Sequence, residues 1–190
     1  MTVHAPRPAA RRVLLVGMMG AGKTTVGKLV ARRLGWRYVD SDEEVQAATG
    51  RTVKQLFEAG GEQAFRPLES EALAAALDDD RPAVVSVAGG AVLDPANREL
   101  LRRAGTVVWL RATPETLVAR VRADTTAAHA RPGAVDHRPL LDRDPAGAIA
   151  RLERERRPIY AEVAEVVVDV DDLVPEAVAE RVLERVQASA

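Results

Sequence analysis

The chain has 190 residues, 47% hydrophobic and 29% charged, with a formal net charge of −1; this is the make-up of one globular domain able to bury a substantial core. Charge so near balance argues against a nucleic-acid or membrane-surface partner, and with no cysteine the chain has no disulfide, thiolate metal site or cysteine nucleophile. No stretch approaches the ~18 apolar residues of a membrane helix, and the opening MTVHAPRPAARR has no apolar signal core, so a cytoplasmic protein is expected.

Residues 1–11 read as a flexible arm and 12–190 as a single domain, since no linker or internal repeat divides the remainder. VLLVG (13–17) is a short buried strand running into glycines. In the helix that follows, 22–35, Val26, Leu29, Val30 and Leu34 form one apolar stripe and Gly35 is a stop signal. A second strand, about 36–39, ends at Asp40. Residues 42–49 and 52–59 are short helices separated by Gly50, and 62–77 is another, in which Pro67 predicts a start or a kink. PAVVSVAGG (82–90) is the third strand, Asp94-Pro95 opens a helix to about 103, TVVWL (106–110) is the fourth strand, and Thr113-Pro114 starts the next helix. Residues 123–137 show no period and read as a long loop. A helix over 146–156 is expected to stop near Pro158, EVVVDV (165–170) is the fifth strand, and 175–186 is the closing helix. Strands alternating with helices predict an α/β protein with an open parallel sheet covered on both faces. Ligands of such sheets bind at the carboxyl ends of the strands.

GMMGAGKT (17–24) matches G-x-x-x-x-G-K-[ST] and lies between a predicted strand and a predicted helix, the context that makes the pattern a phosphate site. Glycines let backbone N–H groups converge on phosphate oxygens, and the helix start adds a favourable dipole. Gly20, Ala21 and Gly22, with Lys23, Thr24 and Thr25 behind them, form the expected cradle. Lys23 supplies positive charge to the β- and γ-phosphates and Thr24 a hydroxyl ligand for Mg²⁺. Only 3 of the 27 basic residues are lysine, and one stands where a phosphate needs it.

The third strand carries no acid of the kind that holds Mg²⁺ in many nucleotide hydrolases, so Asp40, ending the neighbouring strand, is the candidate for that work. In YVDSD, Asp40 and Asp42 are two apart, and on a strand such residues point to one side. They can then share a pocket and divide the work, one supporting the metal and the other accepting the proton of an attacking hydroxyl. A solvated strand end followed by a helix start is the plainer alternative.

The chain resembles the shikimate kinases. The resemblance runs over about 13–180 and rests on motifs in one order: GMMGAGKTTVGKLVARRLG, YVDSD, FEAGGEQAFRPLE (57–69), AGGAV (88–92), RPLL (138–141) and RRPIY (156–160). It implies a three-layer P-loop kinase fold with a five-stranded parallel sheet in the order 2-3-1-4-5, a shikimate-binding region at about 41–70 and a mobile lid at about 122–138. It implies transfer of the γ-phosphoryl group of ATP to the 3-hydroxyl of shikimate with Mg²⁺, on the route to chorismate and the aromatic amino acids. By the same resemblance Asp42 is the candidate base and Asp40 the metal support. Arg66 and Arg156 bind the substrate carboxylate, Gly89 and Gly90 place backbone beside shikimate, and Arg138 of the lid reaches the phosphates. Arg120 lies near adenine, where Pro175 also passes. The expected partners are ATP and shikimate, with no nucleic acid or membrane, and the expected state is a monomer. An arginine fork suits a carboxylate as lysine does not; read without the resemblance, Arg66 pairs with Glu62 or Glu69 and Arg156 with Glu153.

Two departures stand out. Ala88 occupies the first of three positions that are usually glycine, and the stretch between Arg122 and Arg138 is longer than the family's, leaving His129, Arg131 and His137 as expected solvated loop residues. Two other functions share the phosphate cradle: a gluconate-kinase-like enzyme, which has no need of two carboxylate-binding arginines, and a non-catalytic nucleotide-binding regulator, which has no need of Asp42.

Overall fold

The computed structural model describes residues 12–129 and 144–188. In chain order these form β1 (Arg12–Val16), α1 (Lys23–Leu34), β2 (Arg37–Asp40), α2 (Ser41–Thr49), α3 (Val53–Asp78), β3 (Ala83–Ser86), a 3₁₀ turn (Ala91–Leu93), α4 (Pro95–Ala104), β4 (Thr106–Arg111), α5 (Pro114–His129), α6 (Pro145–Val163), β5 (Val166–Asp169) and α7 (Pro175–Ala188). The five strands are all parallel, in the expected order β2-β3-β1-β4-β5. β1, β3 and β4 are buried along almost their whole length, which is why they read as unbroken apolar runs. The edge strand β5 alternates buried Val166 and Val168 with exposed Val167 and Asp169. Helices α1 and α7 pack together on one side of the sheet, and α4 and α6 pack on β4.

The two edges of the sheet differ. At the amino edge, Arg12 donates to the Asp79 carbonyl at 2.5 Å, Arg37 pairs with the Asp79 carboxylate at 3.0 Å, and Arg81 pairs with it at 2.6 Å. The starts of β1, β2 and β3 are thereby held together by one turn. The carboxyl edge opens instead into a cleft.

Several elements depart from expectation. The predicted helices 52–59 and 62–77 are one element, α3, broken at Gly61 (φ 68°, ψ −172°), a backbone conformation that only glycine adopts without strain. The break therefore precedes Pro67, which lies inside the second half. The helix over 146–156 does not stop near Pro158 but continues to Val163. Both prolines are exposed, as are Gln63 and Arg154, whose carbonyls lose their helical partner and can turn to water. Burial of Phe65, Leu73, Tyr160 and Val163 carries the two helices onward. The expected loop 123–137 is helical over its first seven residues, since α5 runs to His129 and buries Leu117 and Val121 against the core. The third strand ends at Ser86, so Ala88, Gly89 and Gly90 lie on the loop beyond it. The arm 1–11, Arg131, His137, Arg138 and the lid beyond 129 lie outside the described residues. Among the described residues no helix is long and apolar enough to cross a membrane.

Candidate active site

At the carboxyl edge a cleft of about 700 Å³ brings together Gly20, Ala21, Gly22, Lys23, Thr24, Thr25, Asp40, Asp42, Arg66, Gly89, Gly90, Arg120 and Arg156. Its size is within the roughly 300–1,000 Å³ of small-molecule sites. Of the residues given a site role from the sequence, Arg138 alone lies outside the described residues.

The cradle follows from local backbone. Gly20 has φ 81°, and a Cβ there would lie 3.0 Å from the Leu117 carbonyl oxygen, so α5 packs against the loop where only glycine fits. Gly22, at the N-cap of α1, offers no side-chain cap to the helix. The first N–H groups of α1 are thus left for an anion. Lys23 Nζ donates to the carbonyls of Gly17 at 2.8 Å and Met18 at 3.1 Å, folding the ammonium over the loop. Burial pulls its pKa down to about 8, while Asp42 and Asp40 pull the other way.

Asp40 ends β2 and is the N-cap of α2, its Oδ1 accepting from the Asp42 N–H at 3.1 Å. Its Oδ2 accepts from Thr24 Oγ1 at 3.3 Å and from the Tyr38 hydroxyl at 2.9 Å. Asp42 is therefore the second residue of a helix and not a strand residue, and strand alternation does not explain why the two carboxylates share the cleft. They do so because the chain turns from strand to helix between them. Thr24 and Asp40 offer two hard oxygen donors beside a phosphate cradle. That donor set fits Mg²⁺, which keeps several waters and takes other ligands from phosphates. Ser86 pairs in register with Asp40, and its buried hydroxyl lies beside that of Tyr38.

The other wall carries the arginines. Arg66 is held by Glu62, which accepts from Nε at 3.1 Å, and by buried Glu69 at 2.6 Å. Burial pushes the Glu69 carboxyl up against the downward pull of Arg66. The Arg66 guanidinium lies directly over Gly90, where a Cβ would overlap it. Both pairings expected of a helix-surface Arg66 are thus present, yet they aim the residue into the cleft. Arg156 behaves otherwise. Glu153 pairs with Arg157 at 2.6 Å instead, and Arg156 is 4% exposed with its Nε unpartnered among the described residues. Tyr160, one turn on, donates to the Gly89 carbonyl at 2.7 Å, and burial raises its pKa to about 12. Ser41, fully buried, accepts from the Ala88 N–H at 2.8 Å and ties the turn at Asp40 to the loop after β3.

At the far end Arg120 donates to the Val170 carbonyl at 2.6 Å, bracing the segment that presents Leu173, Val174 and Pro175 to the cleft. Sequence reasoning missed Phe57 and Phe65, whose rings meet at 4.6 Å between centroids and which line the same wall as Arg66. It also missed Tyr38, Ser41, Glu69 and Tyr160 as site residues. The one available signal was scarcity: of six aromatic residues in the chain, these two phenylalanines and two tyrosines stand at the cleft or touch its residues.

A family model described as shikimate kinase matches residues 19–187. A shikimate kinase of Symbiobacterium thermophilum is 44% identical over 92% of this chain and 95% of its own. Among solved structures, a shikimate kinase from Acinetobacter baumannii in complex with shikimate matches with a TM-score of 0.85 at 32% identity, over 96% of each chain. A gluconokinase from Sinorhizobium meliloti, 20% identical with a TM-score of 0.63 over 98% of this chain and 95% of its own, shares the fold alone.

Proposed function

The chain belongs to the shikimate kinase family, and from that premise we propose that it transfers the γ-phosphoryl group of ATP to the 3-hydroxyl of shikimate, giving shikimate 3-phosphate and ADP. The observation that carries the reading is the pairing, across one cleft, of an uncapped helix start bearing Lys23 with a buried Arg156 whose Nε lacks a partner among the described residues. One end suits a polyphosphate and the other a small carboxylate. The region 41–70, with Arg66, and the backbone of Gly89 and Gly90 would frame the substrate between them.

Each residue then has a defined task. The N–H groups at 22–25 and Lys23 bind the phosphates, with the ammonium leaving the Gly17 and Met18 carbonyls to do so. Thr24 and Asp40 would hold Mg²⁺, which would supply charge neutralisation to the group being transferred. Arg66 and Arg156 fix the shikimate carboxylate. Asp42 accepts the proton of the 3-hydroxyl as that oxygen bonds to phosphorus and the bond from phosphorus to the β-phosphate oxygen breaks. Arg120 and the segment at Pro175 border adenine. Arg138, at the end of a lid over 122–138, closes on the migrating group and excludes water. The reading extends to a cytoplasmic monomer, which light scattering would report as a species near 20.4 kDa.

A coupled assay of ADP release tests the proposal. Release should depend on shikimate and on Mg²⁺, and gluconate should not replace shikimate. ADP release indifferent to shikimate would remove it.

A further inference from the structure

Tyr38 has a place in the site that the reaction described above leaves unused. Its hydroxyl donates to Asp40 Oδ2 at 2.9 Å, the same oxygen that receives the Thr24 hydroxyl. Its ring is gripped by α1, the helix that begins with Lys23 and Thr24. On one side Gly27 leaves the room, since a Cβ there would lie 2.7 Å from Tyr38 Cε2. Lys28 Nζ lies 5.3 Å from the ring centroid, within reach of a cation–π contact. Tyr38 therefore joins the end of β2, where Asp40 sits, to the start of α1, where Thr24 sits.

The direction of these hydrogen bonds matters. The Thr24 proton points to Asp40 Oδ2, which leaves the hydroxyl lone pairs for a cation. Oδ1 is engaged by the Asp42 N–H, so the freedom left to the carboxylate is rotation and drift of Oδ2. A phenol on β2 whose ring is packed against α1 removes that freedom.

We propose that Tyr38 is a positioning residue for the metal site, holding Asp40 Oδ2 against Thr24 so that the two oxygens meet Mg²⁺–nucleotide already arranged. This rests on the assignment of Thr24 and Asp40 to Mg²⁺. Outer-sphere partners of this kind orient the groups that face the metal, and their loss weakens metal binding more than the fold.

The test is Tyr38→Phe, which keeps the ring in its slot and removes one oxygen. Binding of a non-hydrolysable ATP analogue is measured by calorimetry with and without Mg²⁺, in wild type and variant. The expected result is unchanged affinity without metal, and a tightening by Mg²⁺ that is smaller than in wild type by about 10-fold, the lower end for such a partner. In turnover, the Mg²⁺ concentration for half-maximal rate should rise while the shikimate KM stays constant. Tightening by Mg²⁺ equal to wild type, or an equal loss with and without metal, overturns the role of Tyr38. A wild type whose analogue binding ignores Mg²⁺ overturns the metal assignment and this proposal with it, so the two failures are distinguishable.

Discussion

Glu153 holds Arg157 and leaves Arg156, the next residue along, buried with an Nε that has no partner among the described residues. A buried donor without an acceptor costs about 1–3 kcal/mol, and in the proposed function the shikimate carboxylate offsets it. Arg156→Met should therefore raise the melting temperature of the empty protein by a few degrees, in the manner of stabilising changes at active sites. It should abolish the further rise that shikimate produces in wild type. Arg156→Lys, which keeps charge but loses the fork, should raise the shikimate KM by roughly 10- to 100-fold, the worth of a charge-assisted hydrogen bond, with little change for ATP. A less stable Arg156→Met variant that still responds to shikimate would place the arginine in the fold and not in binding.

Lys23 makes a prediction about protons. Burial lowers its pKa from the ordinary 10.5 to about 8, against the upward pull of Asp42 and Asp40. A lysine whose folded pKa is depressed weakens the fold while it is charged below that pKa, and stability is regained as pH rises from about 8 towards 10.5. Phosphates favour the charged form, so ATP binding near pH 8 should draw in protons, seen as a dependence of the calorimetric enthalpy on buffer ionisation. Lys23→Met should remove that uptake, and Lys23→Ala should lower kcat at least ~10²-fold. Uptake that survives in Lys23→Met belongs to another group.

The two aspartates should separate by metal dependence. Asn is as good an N-cap as Asp, so Asp40→Asn keeps α2 in place while it removes the charge and turns Oδ2, the acceptor for Thr24 and Tyr38, into an amide donor. It should raise the Mg²⁺ concentration for half-maximal rate. Asp42→Asn should lower kcat with Mg²⁺ dependence and ATP binding nearly intact. Identical metal profiles for the two variants would collapse the division of labour.

Gly90 has ordinary helical-region backbone (φ −91°, ψ −16°), so alanine meets no backbone strain there. Its methyl would instead displace the Arg66 guanidinium from its position between Glu62 and Glu69. Gly90→Ala should raise the shikimate KM, by up to about 10²-fold for a displacement near 1 Å, and leave the ATP KM alone. Equal effects on both substrates would mean that the loop after β3 supports the whole cleft.

Arg138 acts, in the proposed mechanism, only after closure. Arg138→Ala should lower kcat strongly and leave shikimate affinity without nucleotide unchanged. Hydrogen exchange over 123–137 should slow when shikimate and an ATP analogue are both present. Normal turnover in Arg138→Ala would take the lid out of catalysis.

How far the sequence could be read depended on whether the signal was local. The cradle was legible because its geometry lies within eight consecutive residues. The strand order followed from the resemblance and the parallel pattern from strand–helix alternation. Asp40 and Asp42 were placed in the right pocket for the wrong reason, since a helix cap and not strand alternation puts them there. Pro158 misled because propensity is weighed against tertiary burial, and Tyr160 and Val163 decide the matter. ADTTAAH (123–129) has small and polar residues with no stripe, so nothing local announced that α5 continues. The partner of Ser41 lies on the loop after β3, the ring of Tyr38 packs on α1, and the burial of Glu69 is created by packing, so local spacing, which does pair Glu69 with Arg66, marks none of the three as a site residue.

The ties on Asp79 lie at the edge of the sheet opposite the cleft, where Arg12, Arg37 and Arg81 meet one turn. That polarity gives the molecule a handle. A cysteine introduced at Asp80, whose side chain is fully exposed, would be the sole thiol in the chain. A fluorophore or a surface attached there would be oriented with the cleft facing away from the support, so immobilised enzyme should retain access to both substrates.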